Sequence, residues 1–127
     1  MEQDNRELIK VLVVDDDPDI CTTLKGLFKK KGYYVATAGT GGEALERMKE
    51  TLYHFAIIDI RLPDMTGIEL LEELRKTNFK TNCIMMTGHK EEDPGLSLEK
   101  GAKAHFLKPL KVEEVIQIFE KEMTAKK

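Results

Sequence analysis

Two kinds of segment alternate along the chain. Short apolar runs at Ile9–Val14, Tyr34–Ala36, Phe55–Ile58, Cys83–Met86 and His105–Leu107 are separated by longer stretches with apolar residues three or four positions apart. Runs of this length predict strands covered on both faces, as in a parallel sheet. The second and last runs are the weakest by this criterion. The intervening stretches predict helices, each burying one stripe. Asp17-Pro18 supplies a cap and a first-turn proline for the first, Ile20, Leu24, Leu27 and Phe28 form its stripe, and Gly32 stops it. The second covers about Gly42 to Glu50, with Ala44, Leu45 and Met48 inward; the third uses Ile68, Leu71 and Leu74. The fifth uses Val112, Val115, Ile116 and Phe119. The fourth, within Lys90–Lys100, contains Pro94 and Gly95 and predicts a loose or non-helical first turn. The polar first eight residues and the final TAKK predict frayed ends.

Strand–helix alternation with right-handed crossovers predicts an α/β fold with an open, doubly wound parallel sheet. In such sheets, ligands bind beyond the carboxyl ends of the strands. The residues just past each strand therefore carry the candidate chemistry. Asp15, Asp16 and Asp17 come after the first run, Asp59 after the third, Thr87 after the fourth and Lys108-Pro109 after the fifth. Asp15, Asp16 and Asp59 would crowd negative charge, which carboxylates do not tolerate unpaired. A hard divalent cation with oxygen ligands, Mg2+ above all, relieves that crowding. A carboxylate beside such an ion can act as a nucleophile toward a phosphoryl group. Phosphoryl transfer asks mainly for positioning and charge stabilisation. Lys108 offers a compact positive charge for phosphoryl oxygens, and Thr87 a hydroxyl donor.

Bulk properties narrow the classes. The 127 residues suit one domain, here 1–127 with a core of about 9–121. Lys and Arg total 20 against 23 Asp and Glu, so the chain has no basic footprint for direct nucleic-acid binding. Cys21 and Cys83 lack metal-ligand spacing and predict buried, reduced thiols. No signal core precedes the first strand, and no apolar run is long enough to span a membrane. These features predict a cytoplasmic protein.

The segments KVLVVDDDP, AIIDIRLPDMTGIEL, IMMTG and GAKAHFLKP occur in this order and resemble those of bacterial two-component response-regulator receiver domains. The resemblance covers roughly residues 9 to 121. It implies a flavodoxin-like fold with strand order 2-1-3-4-5. It also implies Asp59 as phosphoacceptor, Asp15 and Asp16 as the acid pair at Mg2+, and the backbone carbonyl of Arg61 as a further ligand. Thr87 and Lys108 would complete the site, with Thr87 and His105 as switch residues and a cis bond before Pro109. The implied partners are a sensor histidine kinase or histidine phosphotransfer protein and a downstream protein target, for a monomer or weak dimer. Single-domain chemotaxis and sporulation-phosphorelay regulators look nearest, on the His105-Phe106-x-Lys108-Pro109 ending and the basic Arg61. Two departures concern the output face: His105 stands where Tyr or Phe is common, and the segment after Thr87 is about one residue short.

Other residues take ordinary structural roles. Asp17 is expected as a helix cap, and Asp64 and Gly67 as turn and helix-start residues. Glu91, Glu92 and Asp93 form a solvated charge run, Met85 and Met86 core, and His54 a loop position. His89 is expected at the surface near the mouth of the site. The Lys126-Lys127 tail is too short for a nucleic-acid arm. Competing functions are weaker. An aspartyl-nucleophile phosphatase or phosphotransferase usually carries a second acid two residues past the nucleophile, where this chain has Arg61. A flavodoxin-type electron carrier would need a phosphate loop where Asp15–Asp17 would repel the flavin phosphate. A pseudo-receiver would not need the intact acid cluster. A plain phosphoryl carrier is the remaining alternative.

Overall fold

The computed structural model describes residues 8–77, 80–89 and 93–125. Met1–Glu7, Glu91, Glu92, Lys126 and Lys127 lie outside the described residues. Strands β1 (Lys10–Val14), β2 (Tyr34–Ala38), β3 (Phe55–Asp59), β4 (Asn82–Thr87) and β5 (Ala104–Leu107) alternate with helices α1 (Pro18–Lys30), α2 (Gly41–Glu50), α3 (Gly67–Thr77), α4 (Pro94–Glu99) and α5 (Val112–Ala125). The sheet is parallel, in the order β2-β1-β3-β4-β5, as the family resemblance implies.

Strand periodicity divides the core in two. Leu12, Val14, Ala56, Ile58, Cys83 and Met85 face Ala44 and Met48 of α2 and Leu70, Leu71 and Leu74 of α3. The alternate residues Val11, Val13, Phe55, Ile57, Ile84 and Met86 face Cys21, Leu24 and Phe28 of α1 and Val112, Val115 and Phe119 of α5. Both faces of β1, β3 and β4 are thus covered, which explains why these strands read as unbroken apolar runs; the edge strand β5 has no fully buried residue, and Leu107 is 45% exposed, against the expectation for that run. Phe119 stacks on Phe55 with ring centroids 4.1 Å apart.

Three expectations are corrected. Leu27 is 40% exposed and is not part of the α1 core stripe; it sits beside a surface groove. Leu70, absent from the predicted α3 stripe, is fully buried. Pro94-Gly95 does not unwind α4: Asp93 caps the helix, accepting from Gly95 N–H at 2.9 Å, and Pro94 occupies its first turn. Proline fits there because first-turn N–H groups have no partner within the helix. Asp93 is exposed, as expected, and also serves as the cap. The other expectations hold more closely. Asp17 caps α1 by accepting from Asp19 N–H. Cys21 and Cys83 are free and buried, with burial pushing the Cys83 thiol up to about 12. His54 is half-buried, and its Nδ1 accepts from Lys10 N–H at 2.9 Å. Among the described residues, no helix is long and apolar enough to cross a membrane.

Candidate functional site

The connections from β1 run to one side of the sheet and those from β3 to the other, so β1 and β3 flank the switch in strand order. A crevice forms beyond strand ends at such a point. Asp15 follows β1 and Asp59 is the last residue of β3. Their carboxylates meet there with that of Asp16, with one oxygen of each within 4.8 Å of the others. Asp15 and Asp59 are buried and Asp16 is exposed, so the cluster opens to solvent on one side.

The two buried acids are locally held. Asp15 Oδ1 accepts from Asp17 N–H at 2.9 Å. Asp59 Oδ1 accepts from Arg61 N–H at 3.3 Å. Gly67 begins α3 directly against the end of β3: a Cβ there would overlap the Asp59 carbonyl. Lys108 reaches in from the end of β5, its Nζ 2.7 Å from Asp15 Oδ2 and 3.2 Å from Asp59 Oδ2. The Lys108–Pro109 bond is cis. Lys108 N–H donates to the Thr87 carbonyl at 2.7 Å, so the ends of β4 and β5 stay in register beside the acids.

Charge crowding is visible in the titration of these groups. Burial, and then the Asp15 charge, raise the Asp59 pKa above the ordinary aspartate value, against the pull of Lys108. Burial draws the Lys108 ammonium toward its neutral form, but the two carboxylates outweigh this and hold its pKa above the ordinary lysine value. Asp15 Oδ2 is buried, and the Lys108 ammonium forms an ion pair with it at 2.7 Å. Three converging carboxylates served by a single ammonium, two of them buried, are a donor set suited to a hard cation. Asp15, Asp16 and Asp59 therefore fit Mg2+.

The remaining site candidates divide. Thr87 is buried at the end of β4, with its Oγ1 accepting from His89 N–H at 3.1 Å. His105 is half-buried on β5 and paired through Nδ1 with Ser97 Oγ of α4 at 2.8 Å. His89 is exposed, as expected. Sequence reasoning passed over Ser97, which is fully buried, because a lone serine in a short, weakly patterned helix carries no periodic signal. It also placed Asp64 only as a local turn residue. Its carboxylate instead accepts from Gly41 and Gly42 N–H of α2, both at 2.9 Å.

A deep acid pocket closed by a lysine, at the carboxyl edge of a five-stranded α/β sheet, defines a class of metal-assisted phosphoryl-acceptor sites. The chain belongs to the response regulator receiver domain family, whose model matches residues 11–120. It is 38% identical over 105 residues to the transcriptional regulatory protein ZraR of Klebsiella oxytoca, covering 82% of this chain and 24% of that protein. The sporulation initiation phosphotransferase F of Bacillus subtilis is 34% identical over 107 residues, covering 84% of this chain and 86% of that protein. The response regulator protein TrrA of Thermotoga maritima, solved in complex with Mg(2+)-BeF, superposes with a TM-score of 0.80 at 31% identity, covering 90% of this chain and 98% of that one. The chain thus spans about a quarter of the length of the ZraR-type relatives.

Proposed function

We propose that this receiver takes a phosphoryl group onto Asp59 from a sensor histidine kinase or a histidine phosphotransfer protein, and signals by a change of shape. The observation that carries the reading is the meeting of Asp15, Asp16 and Asp59 around the Lys108 ammonium. Asp15, Asp16, Asp59 and the Arg61 carbonyl would hold Mg2+. When bound, Mg2+ would neutralise the acid cluster and the incoming phosphoryl oxygens. The likeness to TrrA, solved with Mg(2+)-BeF, supports this ligand chemistry.

The transfer is a displacement at phosphorus. A carboxylate oxygen of Asp59 forms the new P–O bond as the donor's P–N bond breaks, and the electron pair leaves on the donor imidazole. Lys108 stabilises charge on the phosphoryl oxygens, and Thr87 donates its hydroxyl to one of them. Drawing the Thr87 hydroxyl inward would take it from His89 N–H and free space beside β5. His105 would exchange its Ser97 partner for that space, altering the surface built by α4, β5 and α5. The partner reading this surface is a downstream protein. A groove of about 420 Å³ between α1 and the segment after β5 reaches Lys108 and is walled by Ile20, Leu24, Leu27, Pro109 and Leu110. Its apolar wall beside the acids supports docking of the phosphoryl donor there. The chain acts in the cytoplasm as a monomer or weak dimer and catalyses only its own phosphorylation and dephosphorylation. The single domain spans 1–127.

The likeness to a phosphotransferase of similar length favours a second reading, a plain phosphoryl carrier. Labelling with acetyl phosphate tests the shared core. Label should appear only with Mg2+ and only at Asp59, and Asp59→Asn should remain folded and unlabelled. Undiminished labelling of that variant at another aspartate overturns the assignment. Amide exchange that changes at residues 88 to 108 on binding a phosphoryl mimic favours the switch; changes confined to the acid site favour the carrier.

A further inference from the structure

The segment 60–66 leads from the phosphoacceptor strand to α3 and contains Arg61. It closes on itself, with Gly67 N–H donating to the Ile60 carbonyl at 2.6 Å and Leu62 N–H to the Met65 carbonyl at 3.2 Å. One end is fixed at the site, where Arg61 N–H donates to Asp59 Oδ1. The other end leaves the site altogether. Asp64 is exposed, yet both of its carboxylate oxygens are engaged by α2, Oδ1 by Gly41 N–H and Oδ2 by Gly42 N–H.

Helix capping alone does not account for the whole arrangement. The first-turn N–H groups of a helix have no partner within it. The Thr40 hydroxyl, at the cap of α2, accepts from Glu43 N–H, and the Glu43 carboxylate reaches back to Gly39 N–H. Gly41 and Gly42 N–H are thereby left to a carboxylate 23 and 22 positions farther along the chain. Met65 reinforces the junction: a Cβ on Gly41 would lie 2.5–2.8 Å from its side-chain atoms. The Asp64 carboxyl titrates below the ordinary aspartate range, held there by Gly41 and Gly42 N–H in turn.

We infer that Asp64 is a positioning residue for phosphorylation: by clamping the loop to the first turn of α2, it holds Arg61 where the Mg2+ site needs its carbonyl. The inference rests on the reading of Asp59 as phosphoacceptor with Mg2+. Only Leu62 and Pro63 separate Arg61 from Asp64, and a trans peptide spans about 3.8 Å between Cα atoms, so a displaced Asp64 moves Arg61. Groups that orient metal ligands typically change affinity by about 10–100-fold when removed.

Three variants test this: Asp64→Ala, Asp64→Asn, and Thr40→Ala as a control that weakens the same helix end without touching the loop. Mg2+ affinity is read by calorimetry, and amide exchange of Arg61, Leu62, Asp64 and Met65 in metal-free protein. Asp64→Ala should weaken Mg2+ binding by about tenfold and speed exchange at Arg61, Leu62 and Met65. Asp64→Asn, which keeps one acceptor oxygen, should fall between it and wild type. Thr40→Ala should lower the melting temperature while leaving affinity and loop exchange unchanged. Equal effects of Asp64→Ala and Thr40→Ala on Mg2+ affinity, or no effect of either, reduce Asp64 to a helix cap and overturn the inference. Labelling of Asp59→Asn would overturn the phosphoacceptor reading instead, and the metal-free exchange result separates the two failures.

Discussion

Lys108→Met is the most informative perturbation of the acid pocket. The Lys108 side chain is 20% exposed and those of Asp15 and Asp59 are 0% and 9% exposed. Methionine keeps the unbranched stem, one atom shorter, and removes the charge. At an effective dielectric near 20, each contact at about 3 Å corresponds to roughly 5 kcal/mol of attraction. Desolvation of the ammonium offsets much of that, and removing one partner of a buried pair typically costs about 3–5 kcal/mol. The open side of the cluster, at Asp16, lets solvent screen part of the exposed charge, so we expect a loss of about 2 kcal/mol in metal-free protein. In wild type, Mg2+ must bind against the positive charge at Asp15 Oδ2. Lys108→Met should therefore bind Mg2+ more tightly, by about tenfold for each 1.4 kcal/mol released, and Mg2+ should recover most of the lost stability. Labelling by acetyl phosphate should nonetheless slow, because the phosphoryl oxygens lose their ammonium. Urea melts with and without Mg2+, calorimetric titration and labelling rates measure all three. Weaker Mg2+ binding together with unchanged metal-free stability would refute the view of Lys108 as the neutraliser of the acid pair.

Other substitutions separate the neighbouring acids and the core. Asp16→Ala should weaken Mg2+ binding more than Asp17→Ala, whereas Asp17→Ala should cost about 1 kcal/mol through loss of the α1 cap; calorimetry and denaturant melts on both decide the ranking. Phe119→Ala should cost about 3–5 kcal/mol, since the ring is fully buried and stacked on Phe55, and a urea melt showing a negligible loss would contradict the packing. Because the Asp64 pKa is depressed in the folded protein, its contribution to stability is complete above about pH 4 and is lost as pH falls through the folded value. The melting-temperature gap between wild type and Asp64→Asn should therefore narrow from about pH 6 to about pH 3, and a gap constant across that range would contradict the clamp.

The layout of the elements and the location of the chemistry are legible in the order of the residues. Strands buried on both faces must be apolar throughout, so β1, β3 and β4 announce themselves. Strand ends in a parallel sheet must carry whatever binds there, so Asp15, Asp16, Asp59 and Lys108 stand out by position and type. Tertiary structure decided how these ends meet, because the pairing of Lys108 with Asp59 joins residues 49 positions apart and depends on strand order. It also decided which amphipathic positions are covered: Leu27 and Leu70 differ in the neighbours that α1 and α3 find, which periodicity does not specify. Asp64 marks the boundary most clearly. Its side chain has the same local options as any aspartate beside a proline and a glycine-led helix. Only the packing of α2 against the loop after β3 gives its carboxylate two unpaired N–H groups to hold.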